Sequence, residues 1–159
     1  MQAVRPLQGG LMTALDKFKD WNLTFNKPGI DQVHLPEDIT SIDSEDLGKL
    51  FTDLTVWTDY IESQNALAIL EERASLKAKD YQENLMMIKR MGSTVKGERI
   101  TIIKAEIATH PDIVGLDNIY EEKYAYRKLV EMLLTNHERD LSLVSREITR
   151  RSNENKRNI

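Results

Sequence analysis

The sequence predicts an all-α protein: a long helical hairpin of two amphipathic helices with a short helix between them, behind an irregular N-terminal arm. Three observations lead there. Apolar residues recur at alternating steps of three and four along two long stretches, the spacing of one helix face. Of the seven glycines and four prolines, nine lie at or before Gly48 or in the 92–97 segment, so those stretches are nearly free of helix breakers. The 40% hydrophobic and 30% charged content suits extensive exposed helix better than an enzyme with a deep pocket.

Residues 1–43 read as the arm, punctuated by Pro6, Gly9-Gly10, Pro28-Gly29 and Pro36. Within it, 11–21 can form two or three helical turns with Leu11, Leu15 and Phe18 on one face. Trp21, Leu23, Phe25, Ile30, Val33 and Leu35 need cover, either from the chain's own helices or from a neighbouring subunit or partner.

The first long helix starts at Asp43 or Ser44, either of which can be the N-cap, with Glu45 and Asp46 placed to suit the helix dipole. Leu47, Leu50, Leu54, Trp57 and Ile61 set its apolar seam. After a phase shift near Gln64 and Asn65 the pattern resumes at Leu67, Leu70, Ala74, Ala78, Tyr81, Leu85 and Ile88, and Gly92 ends it. About 46 residues make a helix roughly 70 Å long, which implies a coiled coil or bundle.

The 92–97 break precedes a short helix over 98–108, with Ile100, Ile103 and Ile107 on one face. It stops before Pro111, because a residue preceding proline avoids helical geometry. Thr109 or His110 can cap the last helix, predicted over 111–151 with Pro111 in its first position. Val130, Leu134, His137, Leu141, Val144 and Ile148 give it a heptad seam of nearly three repeats. Residues 152–159 read as a polar, frayed tail, which leaves 44–151 as the hairpin domain.

Helices this long are expected to assemble with copies of themselves as a homo-oligomer. Leu54, Trp57 and Ile61 on the first helix and Val130, Leu134, His137, Leu141, Val144 and Ile148 on the second are the expected oligomer interface. His137 is expected to act as a partly exposed polar group that sets register, with a pH switch as the alternative.

The chain has no cysteine, which excludes a disulfide framework and thiolate metal sites and suits a reducing cytosol. It has no bilayer-spanning apolar run and no secretory signal pattern, so a cytoplasmic location without membrane contact is expected. His34, His110 and His137 lack ligand spacing, and 92–97 lacks the ending of a phosphate loop. No nucleophile stands in a recognisable context. The expectation is a protein that is not an enzyme and has no metal or cofactor.

The net charge of −4 is unevenly spread. Residues 1–70 carry 5 basic and 11 acidic side chains, whereas 77–104 carry seven basic and three acidic. Lys77, Lys79, Lys89, Arg90, Lys96 and Arg99, followed by Lys104, gather around the predicted break. Such cations either compensate helix dipoles in solvent or, brought together by assembly, form a groove that tracks phosphates.

Leu76-Lys77-Ala78-Lys79-Asp80-Tyr81 stands where a Lys-Ala-Arg-Leu motif stands in one known family. The 92–97 break, Lys104-Ala105-Glu106-Ile107 and His110-Pro111-Asp112 follow in that family's order. Over roughly residues 50–151 the chain resembles the UvsY family of phage recombination mediators, with Asp80 in place of the motif's leucine. The resemblance implies a homo-oligomeric ring in a phage-infected host's cytoplasm that binds single-stranded DNA and helps load a RecA-like recombinase. It nominates Lys77 and Lys79, with Lys89 and Arg90 beside them. The alternative expectation is a helical scaffolding or virion assembly protein that works through oligomerisation alone.

Overall fold

The computed structural model describes residues 25–93 and 99–157. Lys96 and the 11–21 helix expected in the arm lie outside them, as do Trp21 and Leu23. The described elements are three helices: α1 (Ser44–Gly92), α2 (Ile100–Ala108) and α3 (Pro111–Arg157). The all-α hairpin is therefore the observed architecture. Among the described residues no helix is long and apolar enough to cross a membrane.

Each boundary has a local cause. The Asp43 carboxylate accepts a hydrogen bond from the Asp46 N–H at 2.8 Å, satisfying a donor that the first turn of α1 leaves unpaired. At the far end, Lys89 and Arg90 meet the negative end of the dipole. The turn before Pro111 is tight, with the His110 N–H donating to the Ile107 carbonyl at 3.0 Å. His110 Nδ1 then accepts from the Asp112 N–H at 3.2 Å and so caps α3. α3 runs on to Arg157, past the expected end at Arg151, so 152–157 is helix rather than frayed tail. Arg150 bridges Glu147 and Glu154, one turn to either side, and Lys156 and Arg157 suit the C-terminal dipole.

α1 and α3 pair antiparallel, as the partners show: Ser44 with Arg151, Glu71 with Lys123, and Lys79 with Asp117. The half of the hairpin next to the arm has a continuous core. Leu47, Leu50, Leu54 and Val144 are buried together, flanked by Phe51, Leu141 and Ile148. Trp57, Ile61 and Val130 follow, with Tyr60 and Leu134 against them. The seam expected to join copies is thus closed within one chain, with α1 supplying one side and α3 the other. Leu54, Trp57, Ile61, Val130, His137 and Val144 of that seam are buried within the chain, while Leu134, Leu141 and Ile148 are partly exposed.

The arm completes that core. Val33, Leu35 and Ile42 pack on the buried cluster, so their cover comes from the chain's own helices. The Trp57 indole donates to the Asp31 carbonyl at 3.0 Å, and the Arg151 guanidinium donates to the carbonyls of Ile39 and Thr40 at 3.2 Å. Phe25 and Ile30 remain exposed. His137 is buried rather than partly exposed, and its contact is with Gln32 of the arm.

Beyond Ala68 the character of the pairing changes. No residue of α1 after Ala68 is buried, and none of α3 between Ile113 and Val130. Ion pairs link the helices there: Lys79 with Asp117, Lys123 with Glu71 at 2.7 Å, and Arg127 with Glu72. Arg127 also reaches Glu131 at 3.0 Å and lies over the Tyr124 ring. A small core reappears at the tip, where Ile103, Ile107 and Ile113 pack with Met86 and Met87 and hold α2 in place.

Candidate nucleic-acid interface

The cations nominated from sequence do not form one cluster. Lys77 and Lys79 are two residues apart, so at 3.6 residues per turn they point about 200° from each other. Lys77 is exposed on α1. Lys79 faces α3 and is tied to Asp117, and that hydrogen bond holds its ammonium above the ordinary lysine range. The charge of this lysine is already paired with a carboxylate before any phosphate arrives. The Lys-Ala-Lys string therefore splits between a solvent-facing charge and a strut between helices.

The remaining cations surround the tip. Lys89 and Arg90 end α1, and α2 packs against the same turns through Ile103 and Ile107. Between α1 and α2 lies a groove of about 330 Å3, lined by Met86, Lys89, Arg90, Ser93, Glu106, Ile107 and His110. Across it Arg90 Nε donates to Glu106 at 3.2 Å. The Lys89 ammonium, the Ser93 hydroxyl and the His110 imidazole share this wall. On the other side of α2, Lys104 borders a second cleft with Glu83, Asn84 and Met87. Arg99 is exposed at the start of α2. Among the described residues, Lys77, Lys89, Arg99 and Lys104 have no carboxylate within ion-pair distance.

Such a groove offers positive charge but, His110 apart, no aromatic ring. It suits a backbone phosphate better than a base, because bases need a stacking platform or a patterned edge. Glu106 competes for the same cations, so an entering phosphate has to draw Arg90 from it.

Sequence reasoning named Lys89 and Arg90 but missed His110 and Glu106 as members of this wall. Their signal was present in the short helix and tight turn before Pro111, which fold the chain back onto the end of α1. No comparable signal existed for Asp117 as the partner of Lys79, because that pair depends on the register between helices 38 residues apart.

No protein-family model matches the chain, and neither a curated relative nor a solved structure does.

Proposed function

We propose that the protein is a non-catalytic, self-assembling single-stranded-DNA-binding protein of the recombination-mediator type. It holds the strand by its phosphates at the hairpin tip and helps load a RecA-like recombinase. The observation that carries this reading is the groove between α1 and α2, where Lys89, Arg90, Ser93 and His110 converge, with Arg99 exposed at the cap of α2 and Lys104 exposed on it. Its support is electrostatic and local. One tip carries only a few cations, and assembly brings several tips' worth of charge to a single strand.

The test is fluorescence anisotropy of a labelled oligo-dT with the full chain at two salt concentrations. Affinity is expected to fall steeply with salt, with a log–log slope near −0.7 per phosphate neutralised. Absence of binding at low salt would sink the reading.

A second reading, a scaffolding or virion assembly protein without nucleic-acid affinity, is favoured by the pairing of Lys79 with Asp117 and of Arg90 with Glu106. It predicts assembly by light scattering and no change in the anisotropy of the oligonucleotide.

A further inference from the structure

Between Ala68 and the small core at the tip, the two long helices bury no residue against each other, yet this half of the hairpin is rich in exposed apolar side chains. On α1, Ala74, Ala78, Tyr81, Leu85 and Ile88 continue from Leu67 at steps of seven, four, three, four and three. Tyr81 is 65% exposed and Ile88 71%. Three members of this stripe directly precede a residue that is buried or turned toward α3 or α2. Leu67 precedes the buried Ala68, Ala78 precedes Lys79, and Leu85 precedes Met86. One residue is about 100° of helix, so the stripe looks sideways from the hairpin rather than into it.

α3 repeats the arrangement. Ile119, Tyr126, Leu129 and Leu133 are exposed, and Tyr126 precedes Arg127, Leu129 precedes Val130, and Leu133 precedes Leu134. In two antiparallel helices, the same step back from the facing positions turns both stripes to the same side. Glu71 of α1 and Tyr126 of α3 indeed border one surface cleft with Glu122 and Lys123. The two stripes therefore form a single apolar face across both helices.

We propose that a second copy of this chain covers this face, so that two hairpins form a four-helix bundle. The proposal deepens the self-assembly part of the function proposed above and does not depend on DNA binding. Three features point to a copy rather than to a transient partner. Seven large side chains of the two stripes are each between 38% and 71% exposed, an apolar surface continuous across both helices of the kind that marks an association site. The stripe is heptad-spaced, with small Ala74 and Ala78 between larger residues, which leaves holes for the knobs of another helix. A hairpin half joined only by ion pairs between Ala68 and its tip core needs cover whenever it is folded, and a second copy is always available in equal amount. The contact lies on a different face from the Leu54–Val144 seam, which the chain fills by itself.

Light scattering of the full chain, with circular dichroism as a folding check, decides the matter. The parent is expected at twice the mass of one chain or a multiple of it. Leu85→Glu/Ile88→Glu is expected to run as a single chain with its helicity retained, because both side chains are exposed in the isolated hairpin. Ile102→Glu, an exposed position on α2 outside the face, is expected to stay assembled. Because the chain has no cysteine, Ala78→Cys offers a second readout: a short bis-thiol cross-linker is expected to join two chains there and not at Lys104→Cys. A monomeric parent overturns self-assembly and this surface together. An assembled parent whose Leu85→Glu/Ile88→Glu variant keeps its mass, or whose Ala78→Cys variant does not cross-link, overturns the surface alone.

Discussion

The side-chain amide of Gln32 meets Nε2 of the buried His137 at 3.2 Å and so ties the arm to the middle of α3. When that amide donates, the imidazole carries its proton on Nδ1, which is buried without a hydrogen-bond partner among the described residues. Burial pushes the His137 pKa below its ordinary value. Asp140 on the same helix pulls the other way, and His34 of the arm adds to the lowering. With the folded pKa below the unfolded one, the unfolded chain binds more protons in the window beneath pH 6.5, and stability rises with pH there.

The first prediction follows from that sign. Unfolding free energy measured by urea titration is expected to fall as pH drops from about 7.5 to about 5.5. In His137→Gln, which cannot titrate, this part of the pH dependence is expected to vanish. An unchanged slope in the variant would assign the effect elsewhere.

Glu147 behaves in the opposite sense. Hydrogen bonds from Arg150 and Arg151 hold its carboxyl at about 2, below the usual 4.5. A depressed carboxyl contributes stability that is present above the unfolded value and is lost as pH falls from about 4.5 toward about 2. Glu147→Gln is expected to be less stable at pH 7 and to show a shallower acid limb in thermal melts. Arg151 also donates to the Ile39 and Thr40 carbonyls, so cleavage of the arm by a protease is expected to speed up in the same variant.

Leu54 is fully buried, whereas Ile69 is 45% exposed on the same helix. Leu54→Ala is expected to cost about 2–5 kcal/mol, from lost transfer energy and the cavity it leaves. Ile69→Ala is expected to stay within about 0.5 kcal/mol. Equal losses in chemical denaturation would mean that the two halves of α1 do not differ as described.

The exposed Lys77 and the Asp117-bound Lys79 allow the proposed phosphate contact and the helix pairing to be tested separately. Lys77→Ala is expected to weaken oligo-dT binding and lower its salt slope by about 0.7 without changing the melting temperature. Lys79→Ala, which breaks the pair with Asp117, is expected to lower the melting temperature and alter the salt slope less. The reverse pattern would return the nucleic-acid role to Lys79.

The sequence alone determined the helices and their limits, except the end of α3. Asp43 as a cap, the proline at 111 and the heptad spacing of Leu47–Ile61 and Val130–Ile148 are local signals, set by backbone geometry and by side chains within one or two turns. The fold class was legible for that reason, and so was the placing of Lys89, Arg90 and Arg99 around the tip. The end of α3 was missed because the polarity of 152–157 hid ion pairs at steps of three and four.

Only the tertiary structure decided what each apolar face meets. The phase shift near Gln64 marks the point where α1's apolar side chains leave the hairpin seam, yet periodicity cannot tell a face covered within the chain from one left open. That choice depends on the register between α1 and α3, which also pairs Lys79 with Asp117 and Glu72 with Arg127. Register is a long-range property, fixed by the sum of both seams and the arm over Val144, so no single stretch of sequence carries it.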